Sequence, residues 1–142
     1  MIELRQPYFD LSPAVFKPML QALKGLESSS LGSTLIELVF LRVSQINGCA
    51  YCLEMHSKAL RKDGIEQTKL DALAGWKVSN HFSEKERAAL AWAEAITLIT
   101  DGADDAVYQP LLQFFPAQEI SDLTFTASLM NAFNRLAISM RM

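Results

Sequence analysis

From Leu31 to Ile46 the chain places apolar side chains at positions 31, 35, 38, 39, 41, 43 and 46. Spacings of three and four belong to a helix, and an apolar face this broad has to be buried on most sides. Such a helix needs other elements around it, and this demand constrains the fold more than any other feature. Asn47-Gly48 ends it, because glycine or asparagine suits the left-handed residue at a helix C-terminus.

The remaining segments read as helices too. Residues 1–11 form an extended arm, with Pro7 and the apolar Tyr8, Phe9 and Leu11 to anchor it. Ser12-Pro13 is a helix start, a hydroxyl cap followed by proline in the first helical position. Pro18 would break an interior turn, so a short turn at 12–16 and a helix over 17–27 are expected, with Leu20, Leu23 and Leu26 on its apolar side.

Ser28-Ser29-Ser30 interrupts the pattern before the buried helix. After the Asn47-Gly48 turn, a helix over 49–62 ends in Lys58, Arg61 and Lys62, cations that complement its dipole. A short helix over 66–74 follows. Ser83-x-x-Glu86 is a capping box ahead of an alanine-rich helix over 84–100. Residues 104–114 make another, and Pro116 starts the last, which ends near Met140. No alternating run of β-branched residues occurs. The expected fold is all-α, a bundle of six to eight helices in one domain spanning 1–142.

Half of the 142 residues are hydrophobic and 20% are charged, which argues against disorder. The net charge is −3 with no large cluster of Lys and Arg, so nucleic acid is not an expected partner. No membrane span and no signal-peptide pattern are read, and a cytoplasmic location is the expectation. There, a CxxC pair points to redox or metal chemistry rather than to a structural staple.

Cys49 and Cys52 are that pair, and His56 follows Cys52 by four residues, so one helical face carries all three. A thiol attacks as its thiolate, and an unperturbed pKa of about 8.5 leaves little thiolate at neutral pH. The start of a helix favours negative charge, but a dipole contribution of about 1 kcal/mol shifts a pKa by less than a unit. A second partner is needed, and His56 stands one turn away to take the proton of Cys52.

Residues three apart on a helix have Cα atoms about 5–5.5 Å apart, within the span that a disulfide tolerates. Cys49, nearer the open end, is placed to resolve an intermediate on Cys52.

One more residue follows from a hairpin about Asn47-Gly48. At 1.5 Å per residue, His56 lies roughly 12 Å beyond the turn and Glu37 roughly 15 Å before it, nearly level. Glu37 interrupts an apolar stretch in which an unpaired carboxylate is costly, and a hydrogen bond to His56 would relieve that cost and orient the imidazole. The relay expected is Glu37, His56, Cys52, Cys49.

Structural zinc sites usually show two ligand pairs and this chain has one, while covalent haem needs a histidine directly after the second cysteine, where Leu53 stands. No metal and no cofactor are expected. Tyr51 reads as packing first and as lining the pocket second, His81 as a solvated loop residue, and Trp76 and Trp92 as core or interface aromatics.

With these residues in place, the sequence resembles the alkylhydroperoxidase D (AhpD) branch of the carboxymuconolactone decarboxylase superfamily. The pattern is Glu37, then Cys49-x-x-Cys52-x-x-x-His56, flanked by Ser44-Gln45-Ile46-Asn47-Gly48 and Met55-His56-Ser57-Lys58. Phe82 to Glu94 and Asn131 to Leu136 resemble later helices, so the likeness covers about residues 15–140.

It implies an all-helical subunit in a homotrimer or homohexamer. It also implies peroxidase or disulfide-reductase activity on a small hydroperoxide or disulfide, with a dithiol or a redox protein as reductant. Carried over, Cys52 is the attacking thiol, and Cys49 the proton donor and resolving thiol. The best-known members have histidine immediately before the second cysteine, where this chain has Tyr51. Two other functions stand beside this one: decarboxylation or ring chemistry on a small acid, which needs no CxxC, and a non-catalytic redox sensor.

Overall fold

The computed structural model describes residues 1–142 and contains only helices, turns and loops. In chain order these are α1 (Tyr8–Leu11), α2 (Pro13–Leu26), α3 (Ser33–Asn47), α4 (Ala50–Lys62) and α5 (Gln67–Asp71), then α6 (Glu84–Thr97), α7 (Asp105–Tyr108), α8 (Leu111–Phe114) and α9 (Ala117–Met140). Tighter 3-10 turns at Leu73–Val78 and Ile99–Asp101 complete the path. Three of the nine α-helices are single turns of four residues, so the longer ones number six.

Eight of the 15 residues of α3 are buried, leaving it almost no face for solvent. It is accordingly the helix that the others surround, packed against α4, α6 and α9. The close contact is made by small and branched side chains: Val39 and Val43 on α3, Ala89 and Ala93 on α6 and Ala127 on α9 are all fully buried. Burying an aliphatic side chain contributes roughly 1.5–3 kcal/mol, and this centre is where the bundle gains most. Both cysteines belong to this core, while Leu38, Leu41, Leu60, Leu73, Trp76 and Leu90 form a second cluster beside it.

Local signals place the ends of these helices. Gly48 closes α3 in the left-handed conformation at φ 73° and ψ 40°. Ser83 accepts from the Glu86 N–H at 3.1 Å and the Glu86 carboxylate accepts from the Ser83 N–H at 3.0 Å, a complete capping box. Glu94 on α6 accepts from Arg42 Nη2 at 2.9 Å and from the indole N–H of Trp76 at 2.7 Å, which ties three elements together. No helix is long and apolar enough to cross a membrane.

Several expectations are corrected. Residues 8–11 are a helical turn rather than extended arm, and Leu11 is exposed instead of anchoring it. α2 runs unbroken from Pro13 through Pro18, because Pro18 and Ala14 both face solvent and water can solvate the freed carbonyl. Ser12 precedes α2 but its hydroxyl makes no cap bond. The stretch 104–114 is split at Pro110 into two turns, and α6 gives way to a 3-10 turn after Thr97. The short helix after α4 likewise becomes α5 plus a 3-10 turn.

Candidate active site

The first helical bond of α4 runs from the Leu53 N–H to the Cys49 carbonyl at 2.9 Å, so Cys49 is the cap residue and Cys52 lies in the first turn. Cys49 therefore stands just outside the helix rather than within it, in extended backbone at φ −88° and ψ 98°. The N–H groups of Ala50, Tyr51 and Cys52 stay outside the helical ladder, as the opening of any helix leaves them. Cys49 and Cys52 are joined as a disulfide with Cα atoms 5.3 Å apart, and both are buried.

The turn that presents them is fixed from behind. The Ser44 carbonyl accepts from the N–H of Gly48 at 2.9 Å and from that of Cys49 at 3.1 Å. The Ser44 hydroxyl in turn accepts from Asn134 Nδ2 at 3.1 Å, and Asn47 Nδ2 donates to both Asn131 and Asn134 at 3.0 Å. Ser44 and Asn134 are fully buried, so these bonds are the partners that buried polar groups require. α9 thereby holds the turn through side-chain amides.

His56, one turn beyond Cys52, is buried, and its Nδ1 lies 2.7 Å from Oε2 of Glu37 across the α3–α4 hairpin. A carboxylate can only accept, so Nδ1 carries the proton and donates it. Nε2 is buried and without a hydrogen-bond partner, and in the neutral imidazole it is the acceptor nitrogen. The Phe40 ring packs against the imidazole at a centroid distance of 5.0 Å.

Cys52 and His56 both line a cavity of about 200 Å³, in which His56 is the one residue of 12 that is not hydrophobic. Cys49 does not line it. A second cavity, of about 270 Å³, shares Leu23, Met55 and His56 with the first and is also lined by Glu37, Glu27 and Ser33. No three His, Cys, Asp or Glu side chains are grouped as a metal site.

The structure thus brings Glu37, His56 and Cys52 to one place, with Cys49 behind. His81 is exposed and Trp76 is buried in the second core cluster, both away from it. Trp92 is half-buried against the main core, its indole donating to Thr124 at 3.0 Å.

Of the two readings of Tyr51, the structure gives the less favoured: it is 42% exposed and lines the Cys52 cavity instead of packing in the core. Tyr8, Phe16 and Met142 also line that cavity and were missed by reading the sequence for motifs. The concentration of aromatic residues at 8, 9 and 16 is the signal that points to them. Burial, and secondarily the neighbouring Tyr51, hold the Tyr8 phenol above the usual tyrosine pKa.

An all-helical fold around a buried CxxC pair, joined here as a disulfide, beside a Glu–His pair defines an AhpD-like protein. The crystal structure of ATU0492 superposes with a TM-score of 0.94 at 36% identity, covering 98% of this chain and 96% of that one. ATU0492 is a protein of unknown function from Agrobacterium tumefaciens, provisionally assigned as the antioxidant defence protein AhpD.

The sequence profile of the carboxymuconolactone decarboxylase family matches residues 13–95, and the chain belongs to that family. It is 34% identical over 137 residues to the uncharacterized protein YdfG of Bacillus subtilis, covering 96% of this chain and 93% of YdfG. It is 33% identical over 112 residues to the uncharacterized protein YnjA of Escherichia coli, covering 79% of this chain and 62% of YnjA.

Proposed function

We propose that the protein is a thiol-dependent peroxidase that cycles between a Cys49/Cys52 dithiol and the Cys49–Cys52 disulfide, and that the same chemistry lets it reduce small disulfides. The observation that carries this reading is the position of His56. Its Nδ1 is bound to Glu37, its Nε2 has no partner, and its ring lines the same apolar cavity as Cys52.

In the dithiol form, Nε2 of His56 takes the proton of the Cys52 thiol, and Glu37 stabilises the imidazolium. The thiolate attacks the outer oxygen of the hydroperoxide and the O–O bond breaks. Cys52 becomes a sulfenic acid and the alkoxide leaves as alcohol with the proton held on His56. The Cys49 thiol then attacks the Cys52 sulfur, water leaves and the disulfide forms. Two electrons have passed from the thiols to the peroxide, and an external dithiol or redox protein returns them. Cys52 is the attacking member because it faces the cavity, whereas Cys49 sits behind it.

The reading places the protein in the cytoplasm, where thiols are kept reduced. It also proposes a homotrimer or homohexamer, the assembly that the family resemblance implies; Phe125, Ile99 and Leu112, 62%, 59% and 53% exposed, are apolar side chains that another copy would cover.

The test is peroxide consumption with a dithiol reductant, comparing the native protein with Cys52→Ser. Loss of turnover in the variant is expected, and equal rates would overturn the reading.

A further inference from the structure

The inner wall of the Cys52 cavity is α4 and α9. Its outer wall comes from α2, through Phe16, Leu20 and Leu23, and from the two ends of the chain, through Tyr8 and Met142. The Arg5 N–H donates to the Met140 carbonyl at 2.8 Å, and Arg5 Nη1 donates to the Ser139 carbonyl at 3.2 Å. These bonds lay residues 5–8 across the end of α9. The Tyr8 hydroxyl then donates to Met142 Sδ at 3.2 Å, a contact between residues 134 positions apart.

The Tyr8 ring is fixed as firmly as its hydroxyl. It packs edge-on against Phe16 at 5.7 Å and 82°, and Phe16 packs edge-on against Phe133 at 6.0 Å and 79°. This aromatic chain joins α1, α2 and α9, so the ring cannot swing away without breaking contacts on both sides. The raised pKa of its phenol agrees with a side chain held in an apolar setting beside Tyr51.

The space is small, partly open to solvent and almost entirely apolar, about 200 Å³ with 11 of 12 lining residues hydrophobic. An apolar cavity of roughly 150 Å³ accommodates a benzene-sized molecule. The Cys52 cavity therefore has room for one ring or a short branched alkyl group beside the reacting oxygens. A long chain has to displace the Tyr8 ring or leave past the half-exposed Leu20, Tyr51 and Met55, which line the same cavity.

We propose that Tyr8 is the size-determining residue of this cavity, admitting hydroperoxides with a ring-sized apolar group to Cys52 and excluding long-chain ones. The proposal rests on the peroxidase reading for its substrate. The geometry of the cavity does not depend on that reading, so the two can be tested apart.

Two measurements do this. In the first, kcat/KM is compared for cumene hydroperoxide and linoleic acid hydroperoxide, the latter kept below its micelle concentration. The native protein should favour cumene hydroperoxide by about tenfold or more, as a pocket that must reject extra bulk does. Tyr8→Phe keeps the ring and should keep this ratio. Tyr8→Leu should lower it, and Tyr8→Ala should lower it further. Two variants of graded size keep the test intact if the alanine variant folds poorly.

In the second, the unreactive alcohols of the same two shapes, cumyl alcohol and a hydroxy-octadecadienoic acid, are titrated into the oxidised protein and binding is followed by calorimetry. Tighter binding of cumyl alcohol, relaxed in Tyr8→Ala, supports the proposal even if no peroxide is turned over, in which case only the peroxidase reading falls. A native protein that does not discriminate, or a preference that Tyr8→Ala leaves unmoved, overturns the proposal even if peroxidase activity is found.

Discussion

Asn134, fully buried in α9, donates its amide to the Ser44 hydroxyl at 3.1 Å, and the Ser44 carbonyl holds the backbone N–H of Cys49. One amide side chain on the last helix thus supports the residue that caps the cysteine helix. Asn134→Leu fills a similar volume but takes one hydrogen bond from the Ser44 hydroxyl, which still donates to the Phe40 carbonyl, and one from the Asn47 amide, which still donates to Asn131. A hydrogen bond contributes about 0.5–1.5 kcal/mol net. The variant should lose about 1–3 kcal/mol in urea denaturation, and a loss under about 0.5 kcal/mol would mean that the site relaxes without the network.

Glu37 and His56 should behave as one unit. Proton handling by a positioned side chain contributes about 10²–10⁴-fold, so His56→Ala should lower peroxidase kcat/KM by about that factor and Glu37→Gln by less. Because Glu37 acts through the imidazole, the double variant should be no slower than His56→Ala alone. Steady-state kinetics of the three variants checks this, and additive losses would separate the two residues.

The two cysteines should not be interchangeable. Cys49→Ser leaves Cys52 able to attack peroxide but unable to form the disulfide, so a sulfenic acid should accumulate on Cys52. Trapping with a dione reagent followed by peptide mass spectrometry reads it directly. Cys52→Ser should give no adduct on Cys49, because Cys49 does not line the cavity.

Tyr8 makes the terminal arm sensitive to alkali. Its phenol is raised by burial first and by Tyr51 second, so the folded protein holds that proton more tightly than the unfolded chain does. The stability tied to this group is complete below the ordinary tyrosine value of about 10 and is lost as pH rises through the folded pKa. Thermal unfolding across that window should fall more steeply in the native protein than in Tyr8→Phe. Parallel curves would show that the phenol ionises as freely folded as unfolded.

Much of this was legible because its signals are local. The apolar spacing of 31–46 shows a helix buried on most sides, and Asn47-Gly48 turns the chain back. A fixed rise per residue then carries Glu37 level with His56. The capping box at Ser83 is equally local.

What stayed hidden depends on distance along the chain. Helical period shows that Tyr51 shares a face with other apolar residues but not whether that face meets a neighbour or a cavity. Asn131 and Asn134 read as polar interruptions of an apolar helix, and their partners Thr97, Ser44 and Asn47 lie in other elements. The arm at 1–11 carries no periodic signal, so neither its helical turn nor its bond to Met140 could be read. Pro18 misled because a rule about helix interiors says nothing of whether the freed carbonyl faces water.

His56 is shared by two cavities, the apolar one with Cys52 and the one that Glu37 and Glu27 line. Leu23, Met55 and the imidazole are common to both cavities, while Glu37, its side chain 23% exposed, lines only the second. If His56 takes the Cys52 proton, as the peroxidase reading has it, the Glu37 side offers that proton a way out that does not cross the apolar cavity.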